Sequence, residues 1–216
     1  MEKILKELDD ANIELSKSLW VIRSCITVYS IIGLNASKIQ KGEGFWGFVQ
    51  KQQIDLIAVG FSRVFEQEKG FRLNSIPSIF RFIEENKLNP MNPQAVSDYL
   101  TQRQVEKGES WIVDLQAVLK NQYQKHQHEL LRIKEARDTQ IAHSQAGVPK
   151  KDLPSVAVFE DLLELACGFH DFVNSAFVNT HSHPISTDTQ VQTSLVNLLR
   201  QIGISDGCWL PWGRDR

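Results

Sequence analysis

A chain of 216 residues that is 42% hydrophobic and 23% charged has enough apolar material for a full core, which excludes a largely disordered protein. Its formal charge of −2 excludes a broad surface that coats nucleic acid, yet leaves room for a local basic site. The three cysteines, Cys25, Cys167 and Cys208, are far apart and form no C-x-x-C pair. That pattern suits a reducing, cytoplasmic setting and offers no structural zinc site.

Met1 to Asp10 is charged and already helix-patterned, so no signal peptide is expected there. Leu8, Leu15, Ile22 and Tyr29 recur every seven residues, with Leu19 and Ile26 between them. The spacing predicts one helix from about residue 2 to Ile32, ended by Gly33. Such a seam serves either a coiled-coil dimer or packing within one subunit, and its short run of about four heptads favours the second. The apolar run Leu19 to Leu34 contains Arg23 and falls short of the ~20 nearly uncharged residues of a membrane span, so no membrane is expected.

After a polar connector, a second helix runs from Phe45 to about Glu66, with Ile54, Ile57, Phe61, Val64 and Phe65 on its buried side. Glu66 to Asn74 reads as a charged loop. Ser75-Ile-Pro77 starts a third helix, because a proline in the first turn lacks only a donor that has no helical partner anyway. Asn92 and Pro93 cap and open a fourth, whose inner stripe is Val96, Tyr99, Leu100 and Arg103 and which Gly108 ends. Ser110 caps the next, with the stripe Ile112, Leu115, Leu119, His126, Leu130, Ile133, Arg137 and Ile141. Unbroken to Ala142, that helix is roughly 50 Å long.

Gly147 to Asp152 interrupts the chain before a helix over Leu153 to Val178 that is apolar on two stripes, and so lies near the centre of the fold. A polar linker with His181 and His183, a short helix over Gln190 to Ile202, and a tail bearing Trp209 and Trp212 follow. No segment alternates like a half-buried strand. The expected fold is an all-α bundle over residues 1–180, with 181–216 as linker, short helix and Trp-containing tail.

The stretch Ile133-Lys-Glu-Ala-Arg137-Asp138-Thr-Gln-Ile-Ala142-His143-Ser144 carries the candidate chemistry. A guanidinium can bind a phosphate and an imidazole six residues later can move a proton, the two tasks of RNA cleavage without a metal. Arg137 shares a stripe with Ile133 and Ile141, so its charge must meet a carboxylate from another helix or face a cleft. His143 is about 120° around and ~9 Å along an ideal helix. The pair converges only if the helix distorts near Ala142 or if a two-fold axis joins two copies. Lys120, Lys125, Arg132, Lys134 and Arg137 outnumber Glu129 and Glu135 over the same helix, which marks a locally basic face. His126 and His128 point to different helix faces and make no metal site. No nucleotide-loop, dinucleotide, zinc-protease or serine-hydrolase motif is present.

The Arg137-to-His143 stretch, with its Ile-Ala-His ending, resembles the signature of HEPN domains, in particular the abortive-infection Abi-U type branch. Residues 54–66 and 75–83 are similar to that branch's second and third helices, so the resemblance covers about residues 10 to 178. It implies an all-α bundle that dimerises and places two signatures at one cleft. It also implies a metal-independent endoribonuclease, with no cofactor, in phage defence or a toxin–antitoxin system, with RNA as substrate and an antitoxin or other protein as partner. Arg137 then binds the phosphate, His143 is the acid–base residue and Asp138 the polar partner. Arg132, Lys134 and Ser144 line the substrate. The product is a cyclic phosphate formed by 2′-OH attack. Gln145 stands where one subgroup has a Tyr two positions after the His, so that subgroup's mode of neutralisation is not expected. The competing reading is a non-catalytic helical binding module in which Arg137 and His143 hold an interface or a nucleotide phosphate.

Overall fold

The seven-residue seam near the N-terminus closes inside a single subunit. The computed structural model describes residues 2–39, 42–66, 74–104, 108, 110–138, 153–178, 189–201 and 203. Among them are eight α-helices and no strand. Helix α1 (Glu2–Leu34) leads through a short 3-10 turn (Ala36–Lys38) to α2 (Glu43–Val64). Then come α3 (Ile76–Glu85), α4 (Pro93–Gln102), α5 (Trp111–Lys125) and α6 (Gln127–Ala136). Helix α7 (Val156–Val173) runs into a π-helical turn (Asn174–Val178), and α8 is Thr189–Gln201.

Helix α1 packs most extensively on α2, then on α7 and α8. Leu8, Leu15, Leu19, Ile22 and Ile26 are all buried in these contacts. By length and composition α1 is apolar enough to cross a bilayer, but its apolar stripe is already covered by protein, and Asn12 and Thr27 are buried with it. The helix runs one residue past Gly33, because Asn35 closes it: the Asn35 amide side chain donates to the Ile31 carbonyl at 2.8 Å. Helix α7 buries both of its predicted stripes, with Val156 alone half-buried. Its Phe159 stacks on Phe61 of α2 with ring centroids 5.6 Å apart, the offset geometry aromatic pairs prefer. Burial also pushes the Cys25 thiol up to about 11, so this cysteine behaves as a small core hydrophobe.

The local start signals act as expected. Ser75 and Ser78 form a reciprocal capping box at α3, and the Asn92 side chain accepts from the Ala95 N–H at 3.3 Å to open α4. Ser110 occupies the N-cap position of α5 without a side-chain bond.

Two expectations are corrected. Helix α4 stops at Gln102, well before Gly108. Its last turn tightens to bonds from Arg103 to Leu100 and from Gln104 to Thr101, and Gln104 takes a left-handed φ of 56° that reverses the chain. Arg103 then folds over the Tyr99 ring at 5.2 Å. The long helix through Arg137 is also not continuous: it breaks at His126, whose φ and ψ are −106° and 13°. Helix α5 lies against α4 while α6 lies against α2, and the break lets the two segments follow different neighbours. His126 is buried at the bend. Burial and then the neighbouring Lys125 lower its pKa, with Glu129 and Asp161 opposing.

Candidate functional site

The α2–α6 contact positions the site. Ile133 and Ala136 are buried on α6, so the next residue, Arg137, emerges at the margin of the core. Arg137 and Asp138 lie in a π-helical turn, a widened turn that re-aims the side chains around it. Ala142, where a distortion would turn Arg137 and His143 toward each other, lies outside the described residues. His143 and Ser144 lie outside the described residues.

Arg137 is half-buried and held from two sides. Its Nη1 donates to Glu66 Oε2 at 3.0 Å and its Nε to Asp138 Oδ1 at 2.8 Å. These contacts raise the Arg137 pKa, the Asp138 hydrogen bond first, against an opposing cost of burial. Glu66 is itself fixed in place. It lies just past Phe65, the C-cap of α2, and the Ser75 hydroxyl at the start of α3 donates to its backbone carbonyl at 3.0 Å. Three elements thus converge at one residue: Glu66, at the end of α2, meets the N-terminus of α3 through its backbone carbonyl and the end of α6 through its carboxylate. The sequence reading placed Glu66 at the edge of a loop and did not connect it with Arg137. Its only signal was the general one that an arginine on an apolar stripe needs an acidic partner.

Glu66 also lines a cleft of about 1030 Å³ between α2, α3, α5 and α6. Arg81, Lys120 and Lys134 stand on its walls against Glu66 and Glu84, over a floor that includes Phe65 and Tyr123. Lys134 therefore faces the same opening as Glu66. Arg132 does not: its Nη2 donates to the Leu153 carbonyl at 3.2 Å, tying α6 to the segment that enters α7. His126 and His128 diverge, the first buried and the second exposed beside Glu129. Among the described residues, no group of three His, Cys, Asp or Glu side chains is placed to hold a metal.

This geometry combines an all-α bundle with an arginine at a widened helix end, within the Arg-Asp-x4-His stretch. A family model for AbiU2, of the HEPN class, matches residues 3–194. The chain belongs to the HEPN AbiU2 family. The match covers α1 to α7 and the first turns of α8, and it ties the protein to a function related to abortive infection. No curated protein and no solved structure matches the chain.

Proposed function

We propose that this HEPN AbiU2 protein is a metal-independent endoribonuclease that acts through Arg137, Asp138 and His143. The observation that carries the reading is the state of Arg137. Its guanidinium is oriented by two carboxylates that engage two of its five N–H donors. A pre-oriented, half-exposed guanidinium can receive a phosphate with little reorganisation. In the reaction the ribose 2′-hydroxyl loses its proton and its oxygen bonds to the adjacent phosphorus. The P–O5′ bond breaks and the 5′ oxygen gains a proton, leaving a 2′,3′-cyclic phosphate. His143 carries one of these protons, and Arg137 stabilises the charge that builds on the phosphate.

One observation favours a second reading. Arg137 with Glu66 and Asp138 sums to a net charge of −1, so the arginine is already neutralised by its own chain. In that case the three residues form a clasp between α2 and α6, and the protein is a non-catalytic helical module that binds a nucleotide or another protein.

Incubation with total RNA in EDTA, with melting measured in parallel, separates the two. Cleavage by the wild type that falls roughly 10² to 10⁴-fold in His143→Ala, at an unchanged melting temperature, supports the nuclease. Arg137→Lys should keep RNA affinity and lose most activity, because a lysine ammonium lacks the planar fork. RNA left intact by the wild type, with Arg137→Lys lowering stability by about 1 kcal/mol or more, supports the clasp. Undiminished cleavage by His143→Ala rejects the catalytic assignment.

A further inference from the structure

A phosphate takes a guanidinium best through two parallel N–H bonds from neighbouring nitrogens. Asp138 Oδ1 already holds Nε of Arg137 at 2.8 Å, so the fork left for such a ligand is Nη1 with Nη2. Glu66 Oε2 stands 3.0 Å from Nη1. One arm of the fork is therefore taken by an oxygen anion of the protein's own, at hydrogen-bond distance.

Charge makes that occupation competitive. Arg137 with its two carboxylates sums to −1. A phosphodiester added beside both takes the local charge to −2, whereas one that replaces Glu66 leaves it at −1. Anions a few ångströms apart in a half-buried site repel strongly, so exchange is favoured over addition. Of the two carboxylates, Glu66 is the one placed to leave. Asp138 follows Arg137 in the same π-helical turn and moves with it. Glu66 reaches across from another helix end, and its backbone stays anchored to Ser75 when the side chain turns. It lines the cleft between α2, α3, α5 and α6, where among the described residues Arg81, Lys120 and Lys134 stand against Glu66 and Glu84. A released carboxylate thus swings into space lined by cations.

On the reading of Arg137 as the phosphate-binding residue, we propose that Glu66 is a resident stand-in for the substrate phosphate. Its carboxylate fills the phosphate subsite of Arg137 in the free protein and is displaced into the cleft when RNA binds. The guanidinium stays where Asp138 holds it, and only one side chain turns. Glu66 also selects among anions. A single phosphate must win the exchange alone, whereas a polynucleotide adds contacts from its neighbouring phosphates to Lys120 and Lys134. The site therefore admits RNA and refuses inorganic phosphate.

Binding of a mixed-sequence 2′-O-methyl RNA oligonucleotide tests this on the full chain, because that RNA has no free 2′-hydroxyl and is bound without being cut. By fluorescence anisotropy, Glu66→Gln should bind it roughly three- to tenfold more tightly than the wild type. Glu66→Asp, which keeps the charge but falls a methylene short of Arg137, should also bind more tightly. Glu84→Gln removes the same charge from the cleft wall and should change affinity by less than about twofold. In an Arg137→Gln background, Glu66→Gln should bring no gain. Inorganic phosphate at roughly millimolar concentration should raise the melting temperature of Glu66→Gln and leave that of the wild type unmoved. Unchanged or weaker RNA affinity in both Glu66 variants, each with native circular dichroism, overturns the inference. So does an equal gain from Glu84→Gln, the mark of general charge removal, or a gain that survives Arg137→Gln. Absence of binding by every variant overturns it together with the phosphate role of Arg137. Wild-type protein that binds this RNA and leaves natural RNA intact rejects the nuclease alone.

Discussion

Arg137 and Glu66 are 71 positions apart in the chain and 3.0 Å apart in the fold. The pair links the end of α2 to the end of α6, and the backbone carbonyl of Glu66 accepts in turn from the Ser75 hydroxyl that caps α3. Their side chains are 24% and 18% exposed, so the pair lies between a surface ion pair of little consequence and a fully buried one.

A double-mutant cycle of Glu66→Gln and Arg137→Gln should therefore show a coupling of about 1 kcal/mol. Chemical denaturation of the four proteins measures it. Strictly additive effects would mean that the contact does nothing for stability.

Asp138 is nearly half exposed, so Asp138→Asn should alter stability by less than about 0.5 kcal/mol. If Arg137 works on a phosphate, the same change loosens the guanidinium and lowers cleavage to a level between the wild type and His143→Ala. A loss as deep as that of His143→Ala would promote Asp138 from an orienting group to an essential one.

Gly60 lies where α2 crosses α1. A Cβ added there would sit 2.5 Å from Cγ1 of the fully buried Ile22. Gly60→Ala should destabilise by about 1–3 kcal/mol through overpacking, which outweighs a gain of about 1 kcal/mol in helix propensity. In an Ile22→Ala background the same substitution should become neutral or stabilising. Denaturant midpoints of the single and double variants decide the matter.

The lowered pKa of His126 makes stability depend on pH. Its folded value lies below the unfolded 6.5, so as pH falls the unfolded chain takes up the proton first. The contribution is fully present above pH 6.5 and is lost as pH drops through the folded value. A His126→Gln protein should show a flatter stability profile below pH 6.5. Parallel profiles for the two proteins would dissociate the bend from protonation.

Periodicity and local hydrogen-bond chemistry made much of this protein legible before any coordinates. The heptad seam of α1, the double stripe of α7 and the caps at Ser75 and Asn92 all depend on residues within a few turns of one another, and the structure has them. The same reasoning picked out the Arg-to-His stretch and required Arg137 to find a carboxylate or a cleft. What it did not reach was decided between distant segments. The stripe through His126 keeps its phase across the break, and only the separate packing of α5 on α4 and α6 on α2 bends it. Arg103 and Gln104 end α4 early, and that turn has no glycine or proline to announce it. Glu66 meets Arg137 only because α2 and α6 lie side by side. An amino-acid sequence specifies which faces must be buried through short-range pattern, but which partner buries each face is a property of the assembled bundle.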